Sequence, residues 1–343
     1  MKLKEFQREL QKKEIDLVFL RHPDPNLTYF IQASCSYGFL VVSRSSASLY
    51  LTELDLPPKV KGINNFILKK GWEKQVGRKD VKKVGINKSA LPLSSFESLK
   101  KLFPKARFVD VTAILTSLRS EKTEEEKKYL KIACDVTSNA LNALSNNINK
   151  IKTEQSAAIF LESFIRENDC SVGFPTIAAM GKNAAIPHHI TSSQKLRKGF
   201  LLLDFGACYK NYNADMTRVL YLGKPTKQEK SVYNILLDAQ QSTIEMVAEG
   251  KEYLNLDEFC RKKLGKHAKS FNHSLGHGIG VELHEEPFYK KGSKISKNHA
   301  FTIEPGIYYP GKFGLRIEDS LIFDGKTRIL TKASKELVTL NYS

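Results

Sequence analysis

The chain has 343 residues, enough for two domains of ordinary size, and its 41% apolar and 27% charged content is that of a folded globular protein. No apolar run approaches the roughly 18 residues that a membrane span needs. The formal net charge of +17 raises nucleic-acid binding, yet the basic residues come in short pairs such as Lys69-Lys70, Lys82-Lys83 and Lys100-Lys101 without interleaved aromatics, so a solvated basic surface is expected and nucleic acid is not.

The opening MKLKEFQRELQKKEIDLVFL lacks the apolar core and small-residue cleavage site of a signal peptide. The five cysteines, Cys35, Cys134, Cys170, Cys208 and Cys260, are odd in number and show no C-x-x-C spacing. Free thiols in a reducing cytoplasm are therefore expected. Residues 4–14 carry a helical pattern, and 16–20, 37–43 and 47–54 carry strand patterns. A helix over 96–103 and a strand over 106–112 follow, which suggests an α/β domain ending near Leu118. Ser120 with the acids up to Glu126 reads as the capped start of a long helix. Further helices are expected over 153–167, 226–248 and 256–268.

The stretch FLLLDFGACYKNYNADMTRVL, residues 200–220, reads as a hairpin. A symmetric turn around Tyr209 and Lys210 would place Asp204 directly opposite Asp215, with Cβ atoms roughly 5 Å apart. Two carboxylates that close repel each other unless a proton or a metal lies between them. The plain alternative is a solvated acidic pair. A second hairpin sits near the end. FTIE (301–304) and GLRIEDSLIF (314–323) flank Pro310-Gly311, and a turn centred on Gly311 sets Glu304 opposite Glu318. Between the hairpins, HSLGHGIGVELHEEP holds His273, His277 and His284, with glycines 276, 278 and 280 allowing close backbone approach around His277. His188 and His189 lie in a Gly- and Pro-punctuated loop.

Four carboxylates packed together without counter-charge would be prohibitively unstable, and two divalent cations would supply that charge. One nitrogen among oxygen ligands suits Mn²⁺, Co²⁺, Fe²⁺ or Zn²⁺. A hydroxide between the ions would be the nucleophile.

This set, the D-x10-D pair, the GHGIG histidine, the TIEPG glutamate and the RIED glutamate, resembles the ligand set of the pita-bread metallopeptidases. The resemblance covers roughly residues 120–340. It implies an α+β fold: a pita-bread (creatinase/aminopeptidase) catalytic domain over 119–343, with a smaller N-terminal α/β creatinase-like domain over 1–118. It implies that Asp204, Asp215, His277, Glu304 and Glu318 bind two metal ions, with Asp215 and Glu318 shared and Glu304 also the general base. It further implies that His188 helps expel the leaving group and that His284 hydrogen-bonds the substrate carbonyl. His273 would line the leaving-group side, and Tyr308 and Arg316 would order the ligands and relay protons. A homodimer is implied as well.

The RIED sequence and the N-terminal domain resemble the proline-specific branch, Xaa-Pro dipeptidases and aminopeptidases, whose substrates are short peptides with proline second. Methionine aminopeptidases typically carry a histidine after the last glutamate, where this chain has Asp319. A methionine or broad-specificity aminopeptidase, and a non-enzymatic binder of nucleic acid or protein, remain the alternatives. Nothing in the sequence separates dipeptidase from aminopeptidase.

Overall fold

The computed structural model describes residues 2–77 and 80–342. The chain forms two compact units, Met1–Arg119 and Ser120–Ser343.

The first unit is built on a six-stranded mixed sheet in the order Asn64–Ile67, Ala47–Leu51, Gly38–Ser43, Leu17–Arg21, Lys83–Ile86 and Arg107–Asp110. The strand Leu17–Arg21 pairs antiparallel with Gly38–Ser43 and parallel with Lys83–Ile86. The expected helix at the start runs Leu3–Lys12 and buries Leu3, Phe6 and Leu10. A helix that hydrophobic spacing did not reveal, Pro25–Ile31, has proline at its first position and Asp24 accepting from the Asn26 N–H at 2.8 Å.

In the second unit the long helix is Glu124–Asn146. Its cap is Thr123, not Ser120: the Thr123 side chain and Glu126 form a reciprocal capping box. Glu121 instead forms an isolated bridge with His299. The helices Glu154–Glu167 and Lys227–Glu245 are likewise capped by Thr153 and Thr226, and Tyr253–Leu264 completes the set of long helices. A four-stranded sheet has the order Val338–Leu340, Met216–Leu222, Gly199–Phe205, Ile177–Met180. A five-stranded sheet has the order Glu285–Phe288, His277–Gly278, His299–Ile303, Asp319–Phe323, Thr327–Ile329.

The uninterrupted apolar run at 200–203 follows from burial on both faces. Leu201, Leu203 and Phe205 pack with residues of the helices Glu124–Asn146 and Glu154–Glu167. Phe200 and Leu202 pack in the opposite core with the helices Lys227–Glu245 and Tyr253–Leu264. Alternation along the strand puts Asp204 on the Phe200 face, at the strand's end.

Beneath the acidic hairpin lies a buried charged cluster. The Arg218 guanidinium donates to Asp319 Oδ1 at 2.6 Å, to the Ala333 carbonyl at 3.0 Å and to the Glu318 carbonyl. Asp319 also accepts from Lys335, Gln240 and Thr331. Burial alone would raise the Asp319 carboxyl, but Arg218 and Lys335 outweigh it and hold it at about 2. Removing one partner of a buried pair leaves the other charge unpaired, which costs about 3–5 kcal/mol. Arg218→Met is therefore expected to lose stability of about that size, read as a lower urea midpoint with an unchanged slope. A midpoint equal to wild type contradicts this role.

Candidate metal centre

The hairpin 199–222 has a register different from the symmetric reading. Its turn is Lys210-Asn211, both with positive φ, as a two-residue turn of this kind requires. Tyr209 consequently pairs with Tyr212, and Asp204 pairs with Thr217 rather than with Asp215. Asp215 precedes Thr217 by two residues, so the two aspartates are diagonal neighbours across the ladder. The second hairpin has the expected register. Ile303 pairs with Asp319 and Gly306 with Arg316, so Glu304 and Glu318 face each other between the two ladders.

Both hairpins and the glycine-rich histidine segment converge on a cavity of ≈ 510 Å³. All five expected ligands line it, as do His188, His273, His284 and Arg316. Oxygen or nitrogen atoms of Asp204, Asp215 and Glu318 lie within 4.8 Å of one another, as do those of His277, Glu304 and Glu318. Asp215, His277 and His284 form a third such group. Tyr308 is the one expected residue set behind the wall; its hydroxyl reaches Arg316 and His273.

Each acid is fixed through its surroundings. Arg316 donates through Nη2 to Asp204 and through Nε to Thr217 Oγ1 at 3.0 Å. Thr217 in turn donates to Glu318 Oε2 at 2.7 Å. Ser320 donates to the Asp215 carbonyl at 2.7 Å and accepts from the Asp215 N–H at 3.2 Å. Thr302 donates to Glu304 at 3.3 Å. The sequence reading missed Thr217, Thr302 and Ser320, although each sits within two residues of a ligand or directly across from one. The glycines around His277 serve packing. A Cβ on Gly276 would lie 2.2 Å from the Thr302 carbonyl oxygen, and one on Gly278 would lie 2.4 Å from the Glu286 carbonyl carbon.

Histidine tautomers follow from partners that can only accept. The Nδ1 of His277 faces the Gly278 carbonyl at 3.1 Å and so carries the proton. Its Nε2 lone pair then faces Glu304 at 3.3 Å and Asp215 at 3.6 Å. Burial first, then the neighbouring His284, push its pKa down to about 3, so the ring is neutral and acceptor faces acceptor. Likewise His273 Nδ1 donates to the Ser274 carbonyl at 2.8 Å. Its Nε2 accepts from Tyr308, whose hydroxyl accepts from Arg316 at 2.8 Å.

A lone pair aimed at two carboxyl groups calls for a proton or a metal cation between them. Two further observations fit the same need. Among the described residues, Asp204 Oδ1 and Glu318 Oε1 are buried and accept no hydrogen bond. Burial, and then the neighbouring carboxylates, raise Asp215 and Glu304 well above the usual range and Glu318 to about 8. The donor set of carboxylate oxygens and one imidazole suits divalent ions.

The metal-free protein should therefore weaken as pH rises. Folded Glu318 keeps its proton up to about pH 8, whereas the unfolded group releases it near 4.5, so the folded state binds more protons in this window. Stability from that proton is present at low pH and is lost as pH passes about 8. His277 and His273, held at about 3 and about 4, act in the opposite sense, but only below the ordinary histidine value of 6.5. Chelator-treated protein should thus show a lower urea midpoint at about pH 9 than at about pH 7. A higher midpoint at pH 9 contradicts the reading.

The chain matches the metallopeptidase family M24 over residues 128–324 and the creatinase/prolidase N-terminal domain over residues 2–120. It is 33% identical to a Xaa-Pro dipeptidase of Pyrococcus horikoshii, over 98% of each chain. The crystal structure of the prolidase from P. horikoshii OT3 matches with a TM-score of 0.90 at 32% identity, covering 98% of this chain and 99% of that one. An X-Pro aminopeptidase from Thermotoga maritima matches with a TM-score of 0.89 at 28% identity, covering 97% and 100%. The α+β fold expected from the sequence is the one found, and no described helix is long and apolar enough to cross a membrane. The chain belongs to metallopeptidase family M24, with a creatinase/prolidase N-terminal domain ahead of its pita-bread catalytic domain.

Proposed function

We propose that this metallopeptidase cleaves the bond before a proline in second position of short peptides. Two divalent ions would be held by Asp204, Asp215, His277, Glu304 and Glu318. The observation that carries the metal reading is the pair of unpartnered buried oxygens, Asp204 Oδ1 and Glu318 Oε1, facing a centre of four carboxylates and one neutral histidine. Asp215, Glu318 and His277 each belong to two of the three ligand groups, and of these the two carboxylates have a second oxygen to offer a second ion, which supports shared ligation by Asp215 and Glu318. The ions would supply a water of lowered pKa and polarise the scissile carbonyl.

The chain's own residues then divide the work. Glu304 accepts the proton of the attacking water. His284, beside His277 with ring centroids 4.0 Å apart, donates to the substrate carbonyl as negative charge develops. The scissile imide nitrogen has no N–H and must gain a proton to leave. His188, exposed on the cavity wall, is placed to assist that departure. Arg316 pairs with Asp204 and donates to the Tyr308 hydroxyl, which in turn donates to His273, so one guanidinium orients all three. The proline preference rests on the names carried by the relatives, which include an X-Pro aminopeptidase as well as prolidases. Dipeptides are the favoured substrates because the P. horikoshii Xaa-Pro dipeptidase, at 33% identity, is more similar than the T. maritima X-Pro aminopeptidase, at 28%. The setting proposed is the cytoplasm, as a homodimer; the five cysteines are all free thiols, in keeping with a reducing compartment.

Protein stripped with chelator and reloaded with Mn²⁺, Co²⁺ or Zn²⁺ should hydrolyse Ala-Pro and Ala-Pro-Ala faster than Met-Ala-Ser and Ala-Ala, with Ala-Pro ahead. Faster cleavage of either proline-free peptide rules out the proline assignment. Among the histidines, His284→Ala should keep its metal and lose on the order of 10²-fold in kcat. His277→Ala should instead lose metal. If elemental analysis gives the reverse pattern, His284 and not His277 is the histidine ligand.

A further inference from the structure

Glu154, the first residue of the helix Glu154–Glu167, is fully buried and lies outside the ligand set. Its Oε1 accepts from the Met180 N–H at 2.7 Å and from Asn183 Nδ2 at 2.8 Å. Its Oε2 accepts from the Ser192 hydroxyl at 2.7 Å, from the Ser192 N–H at 3.2 Å and from His189 Nε2 at 3.0 Å. Five donors from four residues thus tie both ends of the segment 180–192 to one carboxylate. The helix's first two N–H groups complete the clamp, donating to the carbonyls of Gln194 and Ser192, each at 3.0 Å. Burial opposes the charge, but these bonds prevail and hold the Glu154 carboxyl below its usual value.

The clamped segment carries His188. Adjacent histidines diverge here: His189 turns back to Glu154, and His188 lines the metal-site cavity. The inner side of the segment is held as well. Arg316 donates to the Pro187 carbonyl at 3.5 Å, and a Cβ on Gly314 would lie 1.8 Å from the Ala184 carbonyl oxygen. The loop is thus held from the inside by Arg316 and the Gly314 backbone, near its end by Thr191, which accepts from the Ala178 N–H and donates to the Thr176 carbonyl, and from the outside by Glu154.

We propose that Glu154 is a positioning residue that acts through His188. Its carboxylate, with His189 as one of its donors, sets the loop geometry that presents the His188 ring to the scissile bond. The inference rests on the reading of His188 as a residue that assists leaving-group departure. A glutamine at position 154 keeps the size but turns an NH2 toward two or three of the five donors, so the loop must shift.

The test is a kinetic double-mutant cycle with His188→Ala, using reloaded protein and Ala-Pro. Glu154→Gln should lower kcat about 10-fold or more, with KM little changed and the metal content of wild type. In the His188→Ala background the same substitution should cost less than about 2-fold, because the group it positions is gone. Equal losses in both backgrounds, or wild-type kcat in Glu154→Gln, overturn the proposal. Should Glu154→Gln fail to fold, Ser192→Ala removes a single donor. It should lower kcat about 3-fold in the wild-type background only, and an unchanged or background-independent kcat overturns the proposal. Wild-type kcat in His188→Ala alone locates the failure in the reading of His188 itself.

Discussion

Mutual repulsion among four carboxylates, three buried and one partly so, is the constraint around which the second unit is built. Asp204, Asp215, Glu304 and Glu318 converge on one cavity, and Arg316 is the permanent positive charge bonded directly to one of them. Such a group would spread apart or take up protons if its backbone were free to move. It is not free: Asp204 lies one residue from the end of its strand, Asp215, Glu304 and Glu318 flank strand ends, and the apolar residues of these strands pack into cores on both faces. The Arg218–Asp319 pair then pins the Glu318 carbonyl from below. Folding energy from the two cores is set against local electrostatic strain, and divalent cations relieve that strain when they bind.

The site uses two kinds of support. The acids stand on or beside the ends of strands, in ladders whose register cannot slip without exposing a whole face. His188, His273 and His284 stand on irregular segments, which aim side chains more freely but need anchoring of their own. The anchors are also buried polar groups: Glu154 under His188, the Arg316–Tyr308 chain under His273, and the Lys122–Glu285 ion pair at 2.9 Å next to His284. In the proposed reading cations would balance the charge at the centre, while the histidines depend on hydrogen bonds one layer out.

How far the sequence revealed this varied with the range of the interaction. The Glu304–Glu318 register was legible because Pro310-Gly311 marks the turn unambiguously. The Asp204–Asp215 register was two residues off, because Lys210 and Asn211 adopt positive φ although neither is glycine. Proximity survived that error, since a shift of two keeps the same strand face. The Thr123 cap was visible in T-E-E-E but was overshadowed by the earlier serine. Arg218, Asp319 and Glu154 were not legible as anchors. Their partners lie far away in sequence, and Glu154 looks like any acid in a first helical turn.

The claim on which the account turns is that Glu318 is shared by two ions. Chelator-stripped protein titrated with Mn²⁺ should bind two ions per chain, with Ala-Pro hydrolysis rising to its plateau at the second equivalent. Glu318→Ala should bind fewer than two and lose activity. Two ions bound by Glu318→Ala with near-normal turnover, or full turnover in stripped wild type, would contradict the account.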